Sequence, residues 1–128
     1  MQPKKIGIGI VVIIVIGIIA ASVGGSSGGA PSNAVVNNAP GSSTPGCEPD
    51  CFIPTTTTIR VGGTITWMNG DTAAHTATAG TATGGPSGVF DSSLIMAGGS
   101  YSHTFEAAGT FDYFCMVHPW MSGVVIVR

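Results

Sequence analysis

Residues Ile6 to Val23 read IGIGIVVIIVIGIIAASV, an unbroken apolar run without a charge or a strand-like polar alternation. As a helix it would be about 27 Å long, close to the hydrocarbon thickness of a bilayer. Lys4 and Lys5 precede it, and no Lys or Arg follows until Arg60. The positive-inside bias then leaves the N-terminus in the cytoplasm and sends everything after Val23 outside. Residues 1–23 are read as an uncleaved transmembrane anchor, because the run exceeds the ~7–15 residues of a signal h-region and Ala20-Ala21-Ser22-Val23 is a poor cleavage site. A cleaved signal peptide is the other reading. The expected location is the cell membrane, single-pass, with the C-terminal part extracytoplasmic, or secreted if the segment is removed.

The pattern then changes twice. Gly24 to Gly46 is GGSSGGAPSNAVVNNAPGSSTPG, small polar residues with Gly and Pro. Such a stretch buries too little apolar surface to order itself, and a flexible linker is expected over 24–46. From Cys47 to Arg128 short β-rich runs alternate with turn signals. They are Thr55–Val61, Thr64–Trp67, Ala73–Thr78, Val89–Asp91, Tyr101–Phe105, Thr110–Cys115 and Gly123–Val127. Gly62-Gly63, Asn69-Gly70-Asp71, Ala97-Gly98-Gly99 and Ala107-Ala108-Gly109 are the turns, and Gly80–Gly88 is expected as a loop. No heptad or sustained helical period occurs. The fold class predicted for 47–128 is all-β, a Greek-key sandwich or barrel, preceded by the N-terminal helix. Alternation places Phe111, Tyr113 and Cys115 on one, inward face, with Phe114 turned the other way toward the surface. Ile65 and Trp67 are expected in the core.

Charge narrows the function classes. Only 8% of residues are charged and the formal net charge is −2. Lys4-Lys5 is the single basic cluster, so nucleic acid is not an expected partner. Residues 47–128 hold two arginines against six carboxylates, a net charge of −4. Three cysteines leave one over if two pair. Cys47 and Cys51 are close enough for a disulfide across a turn, and two free thiols or a second metal site are the competing readings.

The candidate chemistry sits in Cys115-Met116-Val117-His118-Pro119-Trp120-Met121, where a strand runs into a short loop and a second strand leaves it. A thiol, an imidazole and a thioether within seven residues suit copper better than calcium or magnesium. A trigonal site of two His and one Cys with a weak axial Met needs one more nitrogen. His75 follows a turn among small residues, whereas His103 lies mid-strand. His75 is therefore taken as the second nitrogen, making His75, Cys115, His118 and Met121 the candidate metal ligands for one copper ion. His103 is expected as an ordinary strand histidine, exposed or capping a local hydrogen bond.

These residues also carry a resemblance. Phe52-Ile53-Pro54, Val61 to Trp67, Asp71 to Thr76 and Gly109 to Cys115, with the short Cys-x2-His-x2-Met loop, resemble the cupredoxins. These are the small blue copper proteins that include plastocyanin, amicyanin and halocyanin. The anchored, Gly/Ser-linked layout is similar to membrane-bound archaeal members. The resemblance implies the same four ligands. It implies that the Thr76 N–H donates to the Cys115 sulfur, and that Asn69 ties the two ligand loops together. It also implies an apolar docking patch around His118, with Met116, Pro119 and Trp120, extended by Ala73, Ala74, Pro86 and Met96.

The function expected is one-electron transfer between a redox donor and acceptor, taken as respiratory-chain components, by a monomer tethered to the membrane. A copper carrier that hands the ion to an exported oxidase is the alternative. A copper enzyme would need histidines for a second centre, and only His103 is spare, so no enzymatic activity is expected.

Overall fold

Ile65, Trp67 and Asn69 alternate with Thr64, Thr66 and Met68, and the first set is buried while the second is half-buried or exposed. The same two-residue period runs through Val125 and Val127 near the C-terminus, as expected for strands with one face on a core. The computed structural model describes residues 29–128. The expected anchor over 1–23 and the start of the expected linker lie outside these residues. Among the described residues, no helix is long and apolar enough to cross a membrane.

Nine strands are present among the described residues: β1 Asn33–Asn38, β2 Phe52–Ile53, β3 Thr56–Ile59, β4 Thr64–Asn69, β5 Thr78–Thr81, β6 Gly85–Asp91, β7 Ser100–Thr104, β8 Gly109–Phe114 and β9 Ser122–Val127. They form a four-stranded sheet in the order β2-β1-β4-β7 and a five-stranded sheet in the order β3-β9-β8-β5-β6. The chain passes from one sheet to the other between β2 and β3, β3 and β4, β4 and β5, β6 and β7, and β7 and β8. The all-β expectation for the C-terminal domain holds, and the form is a two-sheet sandwich.

One boundary is corrected. Residues 33–38, expected within a flexible linker, form β1, which lies parallel to β4 from Asn33↔Thr64 to Asn38↔Asn69. Val35 and Val36 supply the β-branched pair that the surrounding Gly, Ser and Pro obscured. Val36 and Asn38 are fully buried, so the sandwich begins before Cys47. The expected loop Gly80–Gly88 is also shorter, because β5 and β6 pair as a hairpin with Thr81 opposite Gly85.

The core lies between the sheets and includes Val36, Phe52, Ile59, Ile65, Trp67, Phe90, Phe105, Tyr113 and Val125. Fully burying one such side chain stabilises by about 1.5–3 kcal/mol. Trp67 is its hub, with ring centroids 5.2 Å from Phe90 and 5.3 Å from Tyr113. Phe114 departs from expectation: it faces away from this cluster, yet it is buried. Its strand is the middle one of five, flanked by β9 and β5, so leaving the core did not bring it to solvent. His103 departs too. Its ring lies 5.0 Å from Phe90 and 4.7 Å edge-on to Phe105, inserted among aromatics and half-buried rather than exposed.

This packing makes two expectations testable. A methyl group on Gly123 would meet the Tyr113 ring at 2.5 Å, across the Gly123↔Tyr113 pair of β9 and β8. Gly123→Ala is expected to lower unfolding free energy by about 1–3 kcal/mol through overpacking, read from denaturant midpoints. Unchanged stability would show that Tyr113 has room to move. Burial holds the His103 imidazole below its usual pKa, so the folded state favours its neutral form. Its contribution is full above the ordinary value of about 6.5 and is lost as pH falls through that range, because the unfolded chain takes up the proton first. His103→Phe should therefore reduce the drop in melting temperature between about pH 7.5 and pH 5.5. An unaltered drop would contradict this.

Candidate metal centre

Strand β8 ends at Phe114, and Cys115 follows with its sulfur fully buried at the end of the sandwich. The next residues fold back tightly. The Met121 N–H donates to the His118 carbonyl at 2.9 Å, and the Cys115 N–H donates to the Met121 carbonyl at 3.1 Å. Two backbone bonds thus close the loop between β8 and β9 onto itself. The fourth residue of the set, Met121, is brought fully inside by this closure.

His75 arrives from the other direction. It lies between β4 and β5, where its backbone makes an isolated bridge with Ile95, donating at 3.1 Å and accepting at 2.7 Å. The three donor atoms converge. His75 Nδ1 and His118 Nδ1 are 3.0 Å apart, and Cys115 Sγ is 3.8 Å from the first and 3.7 Å from the second. A circle through these three atoms has a radius of about 2.0 Å, against roughly 2.0–2.3 Å for bonds from a first-row metal such as zinc to His nitrogen or Cys sulfur. An ion near the centre of the triangle would meet all three donors at bonding distance. The residues present therefore fit a copper ion held trigonally by two nitrogens and one sulfur.

His118 is partly exposed, and its ring lies 5.4 Å from that of Trp120. Burial, then the neighbouring His75 ring, lowers the His118 pKa, while Asp71 pulls weakly the other way. The neutral ring this favours is the form with a lone pair to offer.

Thr76 joins the two halves of the site. Its N–H donates to the Cys115 sulfur at 3.3 Å, as the resemblance implied. Its hydroxyl oxygen accepts the Met116 N–H at 2.9 Å. That hydroxyl also lies 2.9 Å from the Thr78 hydroxyl, which donates to Asp91 at 3.0 Å. Asn69 has a different role from the one expected. Its amide donates to the carbonyls of Ala73 and Ile95 at 2.8 and 2.9 Å, and its oxygen accepts the Asp71 N–H. Asn69 thus braces the loop that carries His75 and makes no bond to the Cys115 loop. Its position at the end of β4 points it there.

Three residues near the site were not singled out from sequence. Asp71 is buried, and its Oδ2 lies 2.7 Å from His75 Nε2. Burial alone would raise the Asp71 pKa, but the Gly41 N–H, the His75 ring and the Thr72 N–H outweigh it and hold the carboxyl well below the usual range. The four-residue spacing from Asp71 to His75 was the available signal. Gly41 and Ser42 had none. Ser42 is fully buried, its hydroxyl lies 3.5 Å from His75 Nε2, and its carbonyl accepts the Trp120 indole N–H at 2.9 Å. Cys47 and Cys51 form a disulfide.

Around His118, Met116, Val117 and Pro119 are exposed and Trp120 is partly buried. Leu94 and Met96 are also exposed, either side of the Ile95 that pairs with His75. Pro86 does not join them: it opposes Gly80 and lines a cleft with Phe111 and Asp112, further along the sheet from Thr78.

Thr76→Val keeps the N–H to sulfur but leaves the Met116 N–H without its acceptor. A loss of about 0.5–1.5 kcal/mol is expected in metal-free unfolding, the net worth of that one hydrogen bond. An unchanged midpoint would show that Thr76 does not hold the loop.

Comparison with known proteins agrees with this geometry. A family model described as copper binding proteins, plastocyanin/azurin family, matches residues 51–128. Amicyanin from Paracoccus versutus is 34% identical over 83 residues, covering 65% of this chain and 62% of the relative. Amicyanin from Paracoccus denitrificans is 35% identical over 70 residues, covering 55% and 53%. The chain thus spans between 53% and 62% of the length of these two relatives. Among solved structures, a novel purple cupredoxin from Nitrosopumilus maritimus superposes with a TM-score of 0.69 at 29% identity, covering 74% of this chain and 99% of that one. The sandwich, the converging donors and the family match lead to one conclusion: this chain belongs to the plastocyanin/azurin family of copper-binding proteins.

Proposed function

We propose that the chain is a one-electron carrier that uses a single type 1 copper ion, which His75, Cys115 and His118 would hold with the buried Met121 as the fourth ligand. The observation that carries this reading is the triangle of two imidazole nitrogens and one sulfur, 3.0–3.8 Å on a side, at the buried end of a rigid sandwich. Copper supplies a couple between +2 and +1 that needs no bond making in the protein. The residues do the rest. The bridge from His75 to Ile95 and the closed Cys115–Met121 loop keep the donors in place whichever charge the ion carries. The Thr76 N–H stabilises negative charge on the sulfur. Full burial of His75, Cys115 and Met121 keeps water away from three of the four ligands.

The partly exposed His118 is the route for the electron, and exposed Met116, Val117 and Pro119 with Trp120 form the surface on which a redox protein docks. Such encounters are small and transient. The net charge of −4 on residues 47–128 favours a partner with a basic face and an association rate that falls with salt. The apolar run at 6–23 behind Lys4-Lys5 supports a single-pass anchor that presents the copper domain outside the membrane to respiratory-chain partners. His103, the one remaining histidine, is half-buried against Phe90 and Phe105, which supports a carrier over a copper enzyme with a second centre.

Cu(II)-loaded protein should show an intense thiolate-to-copper absorption in the visible and a Cu(II) EPR signal, and both should survive repeated reduction and reoxidation. Cys115→Ser should abolish the band, and the paired change Cys47→Ser/Cys51→Ser should retain it. Absence of the band in the unaltered protein would refute the type 1 assignment. Loss of the ion on each reduction would make the protein a copper carrier instead.

A further inference from the structure

Ala39 to Cys51 connects β1 to β2, and its two ends are held together where Asn38 pairs with Phe52 and the Ala39 N–H donates to the Cys51 carbonyl at 2.9 Å. Within it, the Ser42 N–H donates to the Ala39 carbonyl and the Thr44 N–H to the Gly41 carbonyl, both at 3.1 Å. The Cys47–Cys51 disulfide then closes the C-terminal end of the loop. The Cys47 sulfur lies 3.9 Å from the Ser42 carbonyl oxygen, a packing contact, since a disulfide has no proton to donate. The loop is thus folded on itself from both ends.

What it folds against is the metal centre. The Gly41 N–H donates to Asp71 Oδ1 at 2.9 Å, and the other oxygen of that carboxylate lies 2.7 Å from His75 Nε2. The Ser42 hydroxyl lies 3.5 Å from the same nitrogen, and the Ser42 carbonyl takes the indole N–H of Trp120, two residues beyond His118. Both sides of the centre are therefore tied to one loop. His75 turns Nδ1 to Cys115 and His118 and Nε2 to Asp71, so with a metal on Nδ1 the ring proton sits on Nε2 and is donated to the carboxylate. A carboxylate in that position orients the ring and raises its basicity. Stronger donation and the added negative charge favour the more highly charged Cu(II) over Cu(I).

We propose that the disulfide-closed loop Ala39–Cys51 is an outer wall of the copper centre, which positions Asp71 on His75 and thereby sets the preference of the site for Cu(II) over Cu(I). The proposal rests on the copper reading given above. Asp71 and the loop are positioning elements and touch no metal. Asn at 71 has one oxygen where Asp has two, so it cannot offer a separate oxygen to each of Gly41 and His75, and it carries no charge.

The test is a spectroscopically monitored redox titration of the full copper-loaded chain and four variants. Asp71→Asn should favour Cu(I) by about tenfold, which is ~59 mV upward for a one-electron couple. Cys47→Ser/Cys51→Ser should shift the potential the same way. The triple variant should shift no further than Asp71→Asn alone, because both changes act through one hydrogen-bonded chain. Trp120→Phe removes only the indole N–H to Ser42 and should give a smaller shift of the same sign. It carries the test if the disulfide variant does not fold. Potentials equal to the unaltered protein in the disulfide and Trp120 variants, whatever their melting temperatures, would overturn the proposal. So would shifts in the triple variant that simply add. A failed copper assignment looks different: the unaltered protein itself would lack the thiolate band.

Discussion

The hydrogen bonds of Thr76 are the constraint on which the ligand end depends. Bringing two histidines and a cysteine within 4 Å of one another in a largely buried place costs solvation of their polar atoms. Something must hold the two supporting segments together. Thr76 does so directly, donating from its backbone to the Cys115 sulfur and accepting from the Met116 backbone through its hydroxyl. The Thr76–Thr78–Asp91 chain extends this grip into β5 and β6. The sandwich supplies stiffness from behind, through Trp67, Phe90 and Tyr113, and the site inherits its precision from that packing.

Much of this was legible in the chain because it is written in local pattern. Alternation around Ile65–Trp67 and Val125–Val127 marks half-buried strands. The sulfur and nitrogen donors of Cys115, His118 and Met121 fall within seven residues, so no long-range geometry was needed to see them. His75 was found by elimination between two histidines, and the structure brings its Nδ1 to the other donors.

What was not legible depends on pairing at long range. Residues 33–38 have the composition of a spacer, and they become a strand because β4 offers an unpaired edge alongside. Phe114 was misjudged because alternation sorts faces and says nothing about whether the outer face of a central strand is covered. His103 sits in a run of Ser and Thr, and only the folded sandwich puts Phe90 and Phe105 on its two sides. Asn69 was given the bridging role that Thr76 performs. Gly41 and Ser42 reach the centre only because β1 delivers the following loop to the ligand end. The second sphere of the site is therefore built from the stretch that looked least informative.

The central claim is that His75, Cys115 and His118 bind one copper ion together and keep it through a change of charge. X-ray absorption at the copper edge tests this most directly, on the same loaded sample before and after reduction. The account predicts two nitrogen and one sulfur neighbours at about 2.0–2.3 Å in both states, with small changes in distance between them. A shell of nitrogen and oxygen without sulfur, or the loss of a neighbour on reduction, would contradict it.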